Sequence, residues 1–184
     1  LLLVLPPLQA GIKPQAGSVH ILWQDGDLAV VNKPPGVSVH PGSSEQGETL
    51  VHRLVHLFPH LASQDDLRPG IVHRLDKNTS GLLLVALHEK TRKALSRSLS
   101  SREVEKDYLT LVHGCPERDQ AWIDLPLARD ERRKTRMAVH TGHGRRAQTW
   151  YKVLHTFGHV PSSLLQVRII TGRTHQIRVH LAHM

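Results

Sequence analysis

Gly70-Ile71-Val72-His73-Arg74-Leu75-Asp76-Lys77-Asn78-Thr79-Ser80-Gly81 sets a charged turn between two apolar runs, the second of which is Leu82 to Leu87. An apolar run of that length bounded by turn residues reads as a buried strand. Asp76 stands between Arg74 and Lys77, and cations on both sides favour a charged carboxylate. Held in place, such a carboxylate can act as a nucleophile. It can equally cap the turn and pair with Arg74.

Upstream, Ile21 to Trp23 and Leu28 to Asn32 are short apolar runs separated by Asp25-Gly26-Asp27, a strand, turn, strand pattern that Lys33-Pro34-Pro35-Gly36 brings to an end. Thr49 to Phe58 carries Leu50, Leu54, Leu57 and Phe58 at helical spacing, with Pro59 as the breaker. Downstream, Thr91 is a candidate cap for a helix bearing Ala94, Leu95 and Leu99, and Tyr108 to Val112 resumes strand character. Thr149 to Leu154 and Leu164 to Ile170 read as strands around Gly158 and Pro161, and a last helix is expected to start near Thr174. Strands outnumber helices and follow one another directly, so an α+β domain with a largely antiparallel sheet and flanking helices is expected.

The chain has 184 residues, of which 39% are hydrophobic and 22% charged, and no apolar run approaches the roughly 18 residues of a membrane span. Leu1 to Leu5 is apolar but is cut off by Pro6 and Pro7 without a basic leader, so it reads poorly as a secretory signal. A single cysteine, Cys115, excludes an intrachain disulfide and makes a reducing cytoplasm the expected compartment. Lys and Arg number 24 against 16 Asp and Glu, a formal charge of +8, which makes nucleic acid the first partner to consider. Arg129, Arg132, Arg133, Lys134, Arg136, Arg145 and Arg146 concentrate that charge in one stretch opposed only by Asp130 and Glu131, and could track a phosphate backbone. No membrane partner and a monomer are expected.

Further elements accompany the Asp76 turn. His73-Arg74-Leu75-Asp76-Lys77-Asn78-Thr79-Ser80-Gly81 resembles the signature of RluA-family pseudouridine synthases, and Asn32-Lys33-Pro34-Pro35-Gly36 resembles that family's early Asn-Lys-Pro-x-Gly element. Lys106-Asp107-Tyr108, Arg146-Ala147-Gln148-Thr149-Trp150-Tyr151 and Thr171-Gly172-Arg173-Thr174-His175-Gln176-Ile177-Arg178-Val179-His180 resemble its later elements, in the same order. The similarity runs from about Ile21 to Met184.

The resemblance implies roles. Asp76 would be the essential carboxylate, Tyr108 would lie against the uracil, and Arg178 would pair with Asp76 through a guanidinium that can grip both carboxylate oxygens. Arg74 would hold the everted nucleotide or fill the space it leaves; His73, Lys77, Arg173, His175 and Gln176 would complete the substrate-binding set. Breaking and remaking a glycosidic bond consumes no redox equivalent, and neither a Gly-rich dinucleotide loop nor a Gly-Lys-Ser/Thr phosphate loop occurs in the sequence, so no cofactor is expected. No metal is expected either: His52, His56 and His60 recur at helical spacing, but no carboxylate or cysteine completes a set, and a cationic helix face accounts for them. The family's pattern also implies further strands beyond Met184 and, ahead of a catalytic domain at 18–184, an RNA-binding domain of which 1–17 would be a linker or remnant. Large-subunit ribosomal RNA is then the expected substrate, with transfer RNA as the alternative. Two competing classes are a non-catalytic RNA-binding protein on the same fold and a glycoside-processing enzyme, which would need a second carboxylate near Asp76, such as Asp65 or Asp66.

Overall fold

The computed structural model describes residues 11–42, 47–63 and 68–184, so Asp65 and Asp66, and the first ten residues of the expected linker, lie outside the described part. The remainder of that linker, 11–17, contains neither helix nor strand. The chain divides into two compact units between Ser101 and Arg102.

In the first unit, β1 (His20–Gln24) and β2 (Leu28–Lys33) form an antiparallel hairpin, and β3 (Gly81–Ala86) pairs antiparallel with β2. The hairpin turn closes because the Asp25 carboxylate accepts the main-chain N–H groups of Asp27 and Leu28, both at 2.8 Å. Ala29, Val31, Leu83 and Val85 alternate onto the inner face, where α1 (Leu50–Leu57) contributes Leu50, Val51, Leu54 and Val55. His52 occupies the position usually given to glutamate in a capping box: its Nδ1 accepts the Thr49 N–H at 3.1 Å. Pro59–Ser63 then tightens into a 3-10 turn.

Helix α2 (Glu89–Ser100) starts earlier than the Thr91 cap predicts, with His88 at the cap. Glu89 fixes that start, since its negative charge suits the first turn and it binds Arg92 at 2.6 and 3.0 Å. Thr91 instead donates its hydroxyl hydrogen to Asp27 at 3.2 Å. Leu95 and Leu99 are half-buried and Ala94 is exposed.

The second unit is built on a four-stranded antiparallel sheet of order β4-β9-β8-β5, comprising β4 (Asp107–His113), β5 (Gln120–Asp124), β8 (Gln148–Phe157) and β9 (Ser162–Ile169). A separate hairpin of β6 (Leu127–Arg129) and β7 (Met137–Val139) occupies the basic stretch. One face of the larger sheet carries Ile123, Tyr151, Leu165, Val167 and Ile169, closed over by Ile177 and Leu181 of α3 (Gln176–His183). The expected α+β class with antiparallel pairing holds, with the strands of the described residues distributed over three sheets. Among the described residues, no helix is long and apolar enough to cross a membrane.

Candidate active site

The turn that presents Asp76 is anchored from below by a lysine. Lys33, the last residue of β2, has 0% exposure, and its ammonium donates to three main-chain carbonyls: Pro34 and Val37 at 2.8 Å and Lys77 at 3.0 Å. Three donors and three acceptors saturate the group. Burial lowers its pKa from the ordinary lysine value, and the negative charge of Asp76 opposes that shift. One ammonium therefore ties the 33–37 loop to the backbone just after Asp76, while the Asp76 carbonyl accepts the Thr79 N–H at 3.1 Å. Asp76 itself is half-buried, between buried Leu75 and exposed Lys77.

The neighbours of Asp76 are held individually. His73 accepts the Leu84 main-chain N–H at its Nε2, 2.8 Å, which fixes its ring to β3. Arg74 is exposed and reaches the Nε2 of His40 at 3.3 Å; the other nitrogen of that ring bonds the Pro41 carbonyl at 2.8 Å. With Nδ1 donating to the carbonyl, Nε2 is left to accept from the guanidinium. Lys33 and His40 have no assigned role in the sequence reading. The available signal for Lys33 is a lysine closing an apolar strand before two prolines; for His40 the sequence carries none.

The other expected residues belong to the second unit. Tyr108 lies on β4, opposite Val167, and packs against the apolar cluster on the face that α3 covers. Arg178 is an exposed residue of α3. His175 caps that helix in the left-handed conformation, φ 54°. Arg173 donates from Nε to the Arg146 carbonyl at 3.0 Å, and its pKa is lowered by burial and then by nearby Arg145.

Gln176 is 3% exposed and uses its whole amide internally. Its oxygen accepts from the Thr171 hydroxyl at 2.8 Å and from the Arg173 N–H at 3.0 Å; its nitrogen donates to the Gln148 carbonyl at 2.9 Å and the Thr149 hydroxyl at 3.0 Å. It thus positions the turn bearing Arg173. The Thr149 hydroxyl in turn bonds His180 Nδ1 at 2.8 Å, and His180 Nε2 bonds the Leu125 carbonyl at 2.9 Å.

Burial lowers the pKa of His180 from its ordinary value of 6.5. Just below that value the unfolded chain binds more protons than the folded one, so stability declines as pH falls from about 6.5 through the depressed folded value. Thermal unfolding between pH 7.5 and 5 is expected to show a larger loss for the parent than for His180→Asn, the other histidines contributing equally to both. Parallel profiles would contradict this role.

His52, His56 and His60 do not share a helix face, because α1 ends at Leu57 and His60 turns away to bond the Leu87 carbonyl at 3.0 Å. Among the described residues, one histidine and carboxylate cluster has ligand-capable atoms within 4.8 Å of one another: Glu131, His140 and His143. There His140 bonds Glu131 at 3.1 Å and takes weak bonds from the Gly142 and His143 N–H groups. Those bonds close a turn within the basic stretch, whose cations disfavour a further positive ion.

The sequence profile described as RNA pseudouridylate synthase matches residues 27–183. The chain belongs to the RNA pseudouridylate synthase family. Among curated members of that family, an uncharacterized RNA pseudouridine synthase of Chloroflexus aurantiacus is 44% identical over 183 residues, covering 100% of this chain and 57% of the relative. The ribosomal large subunit pseudouridine synthase D of Escherichia coli strain K12 is 38% identical over 176 residues, covering 96% of this chain and 52% of that protein. The chain spans about half the length of the curated relatives it matches. Among solved pseudouridylate synthase structures, human RNA Pseudouridylate Synthase Domain Containing 1 superimposes with a TM-score of 0.72 at 28% identity, over 92% of this chain and 67% of that one.

Proposed function

We propose that this chain is the catalytic core of an RNA pseudouridine synthase that isomerises uridines in large-subunit ribosomal RNA. The target nucleotide is everted from its stack into a pocket, at a cost of a few kcal/mol when it is paired. Asp76 then attacks the ribose, either at the anomeric carbon or by removing a sugar proton, and the freed uracil rotates and rejoins through carbon. Arg178 pairs with the carboxylate and holds it for that attack. Tyr108 lies against the uracil and assists loss of the proton from the newly bonded carbon. Arg74, His73, Lys77, Arg173 and His175 receive the flanking nucleotide and its phosphates. The protein works as a cytoplasmic monomer without a cofactor.

The observation that carries this assignment is the anchored Asp76 turn. A carboxylate that must meet a sugar within a few tenths of an ångström needs a backbone that does not drift, and the buried Lys33 ammonium supplies the restraint. Ribosomal RNA is favoured over transfer RNA because the Escherichia coli relative is a ribosomal large subunit pseudouridine synthase.

The test is incubation of the purified protein with unmodified transcripts of large-subunit ribosomal RNA and of transfer RNAs, with pseudouridine read by carbodiimide adducts. Product in the ribosomal transcript and none in the transfer RNAs is expected. Product confined to transfer RNA would overturn the substrate, and none in either, from protein that melts cooperatively, would overturn the activity.

A further inference from the structure

The sheet of the second unit has a second face that nothing described covers. Trp122 of β5 and Trp150 of β8 stand directly opposite each other in the ladder, and Trp150 is opposite Arg168 of β9. Trp122 is 61% exposed. With Arg102, Gln166 and Arg168, the two indoles line an open hollow of about 410 Å³. The Arg168 guanidinium is held in place by Asp107, at 2.8 Å through each of two nitrogens, and by Glu105 at 3.0 Å. Its pKa is raised, first by the hydrogen bond to Asp107.

A cationic path leads to this step. Asp124, two residues beyond Trp122 and therefore on the same face of β5, holds Arg146 at 3.3 Å. Arg146 in turn receives the Arg173 side chain on its carbonyl, and Arg145 lies close enough to Arg173 to influence it. Beyond them, Arg129, Arg132, Arg133, Lys134 and Arg136 are all exposed. Aromatic rings beside a track of cations are the two components of single-strand recognition: phosphates follow the charge and bases stack on the rings.

We propose that the Trp122 and Trp150 face is a stacking platform for unpaired nucleobases of the RNA strand whose phosphates run along Arg145, Arg146 and the β6–β7 hairpin. This rests on the RNA-directed activity proposed above and adds where flanking single-stranded RNA is held. Stacking accepts any base, so the platform contributes affinity and little sequence preference.

The probes are oligoadenylate and an abasic ribose-phosphate oligomer of the same length and charge. Oligoadenylate is expected to quench the fluorescence of Trp122 and Trp150, and the abasic oligomer to leave it nearly unchanged. Trp122→Ala and Trp150→Ala should each weaken oligoadenylate binding roughly tenfold, and Trp150→Phe should retain most of it. In turnover with ribosomal RNA, the alanine variants should raise KM and leave kcat unaltered. Equal affinity of parent and alanine variants, equal quenching by the abasic oligomer, or a tryptophan-dependent shift in oligomeric state with no change in RNA affinity would each overturn the platform. Tryptophan-dependent binding without pseudouridine formation would uphold the platform and refute the activity.

Discussion

Asp76→Asn is expected to reduce pseudouridine formation by on the order of 10⁴-fold or more, the scale on which enzymes lose rate when a nucleophile is removed. The substitution is nearly isosteric, and the turn itself depends on main-chain groups: the Asp76 carbonyl with Thr79 N–H and the Lys77 carbonyl with Lys33. Folding should therefore survive, and the loss should fall on kcat. One secondary effect is specific to this site. Because the Asp76 charge supports the protonated form of Lys33, removing it should lower the Lys33 pKa further. A variant retaining activity within about tenfold of the parent would exclude Asp76 as the nucleophile.

Lys33→Met should be the most destabilising single change near the site. Methionine keeps the apolar stem but removes three donors, leaving the carbonyls of Pro34, Val37 and Lys77 buried without their partner. With ~1–3 kcal/mol for an unsatisfied buried group and partial relaxation, the loss should be about 3 kcal/mol, or roughly 10 °C in melting temperature. Activity should fall as well, since the backbone after Asp76 loses its tether. Lys77→Ala is the matching control for stability alone: Lys77 contributes a carbonyl to the Lys33 ammonium and its side chain is exposed. Equal melting temperatures for Lys33→Met and the parent would show that the buried ammonium is not what holds the turn.

The sequence made some of this architecture legible and hid other parts for identifiable reasons. The Leu82 to Leu87 run became β3, and the Leu50, Leu54 spacing became α1, because each carries its periodicity in residues that do bury. β5, β6 and β7 escaped. Two of them have only three residues each, and all lie among charged or turn-forming residues that mask the alternation. His88 as the α2 cap was equally hidden, since an imidazole is not a usual capping side chain and makes no capping bond here. At the site, Asp76 stood out by its setting, whereas Lys33 and His40 act through main-chain and imidazole acceptors brought together only by the fold. Gln176 shows the reverse: its motif suggests contact with substrate, and its amide is fully engaged within the protein.

The exposed cations of the β6–β7 hairpin carry a thermodynamic consequence of their own. Arg132 and Arg133 share the single Asp130 carboxylate beside them, so in solution the mutual repulsion within this group of cations is relieved by small anions that gather around them. A polyanion that docks there displaces those anions and liberates its own condensed counterions, which makes the association entropic and steeply weaker as ionic strength rises. In dilute buffer such an arm grips nucleic acid indiscriminately; near physiological salt, discrimination passes to the uncharged contacts, which screening leaves intact.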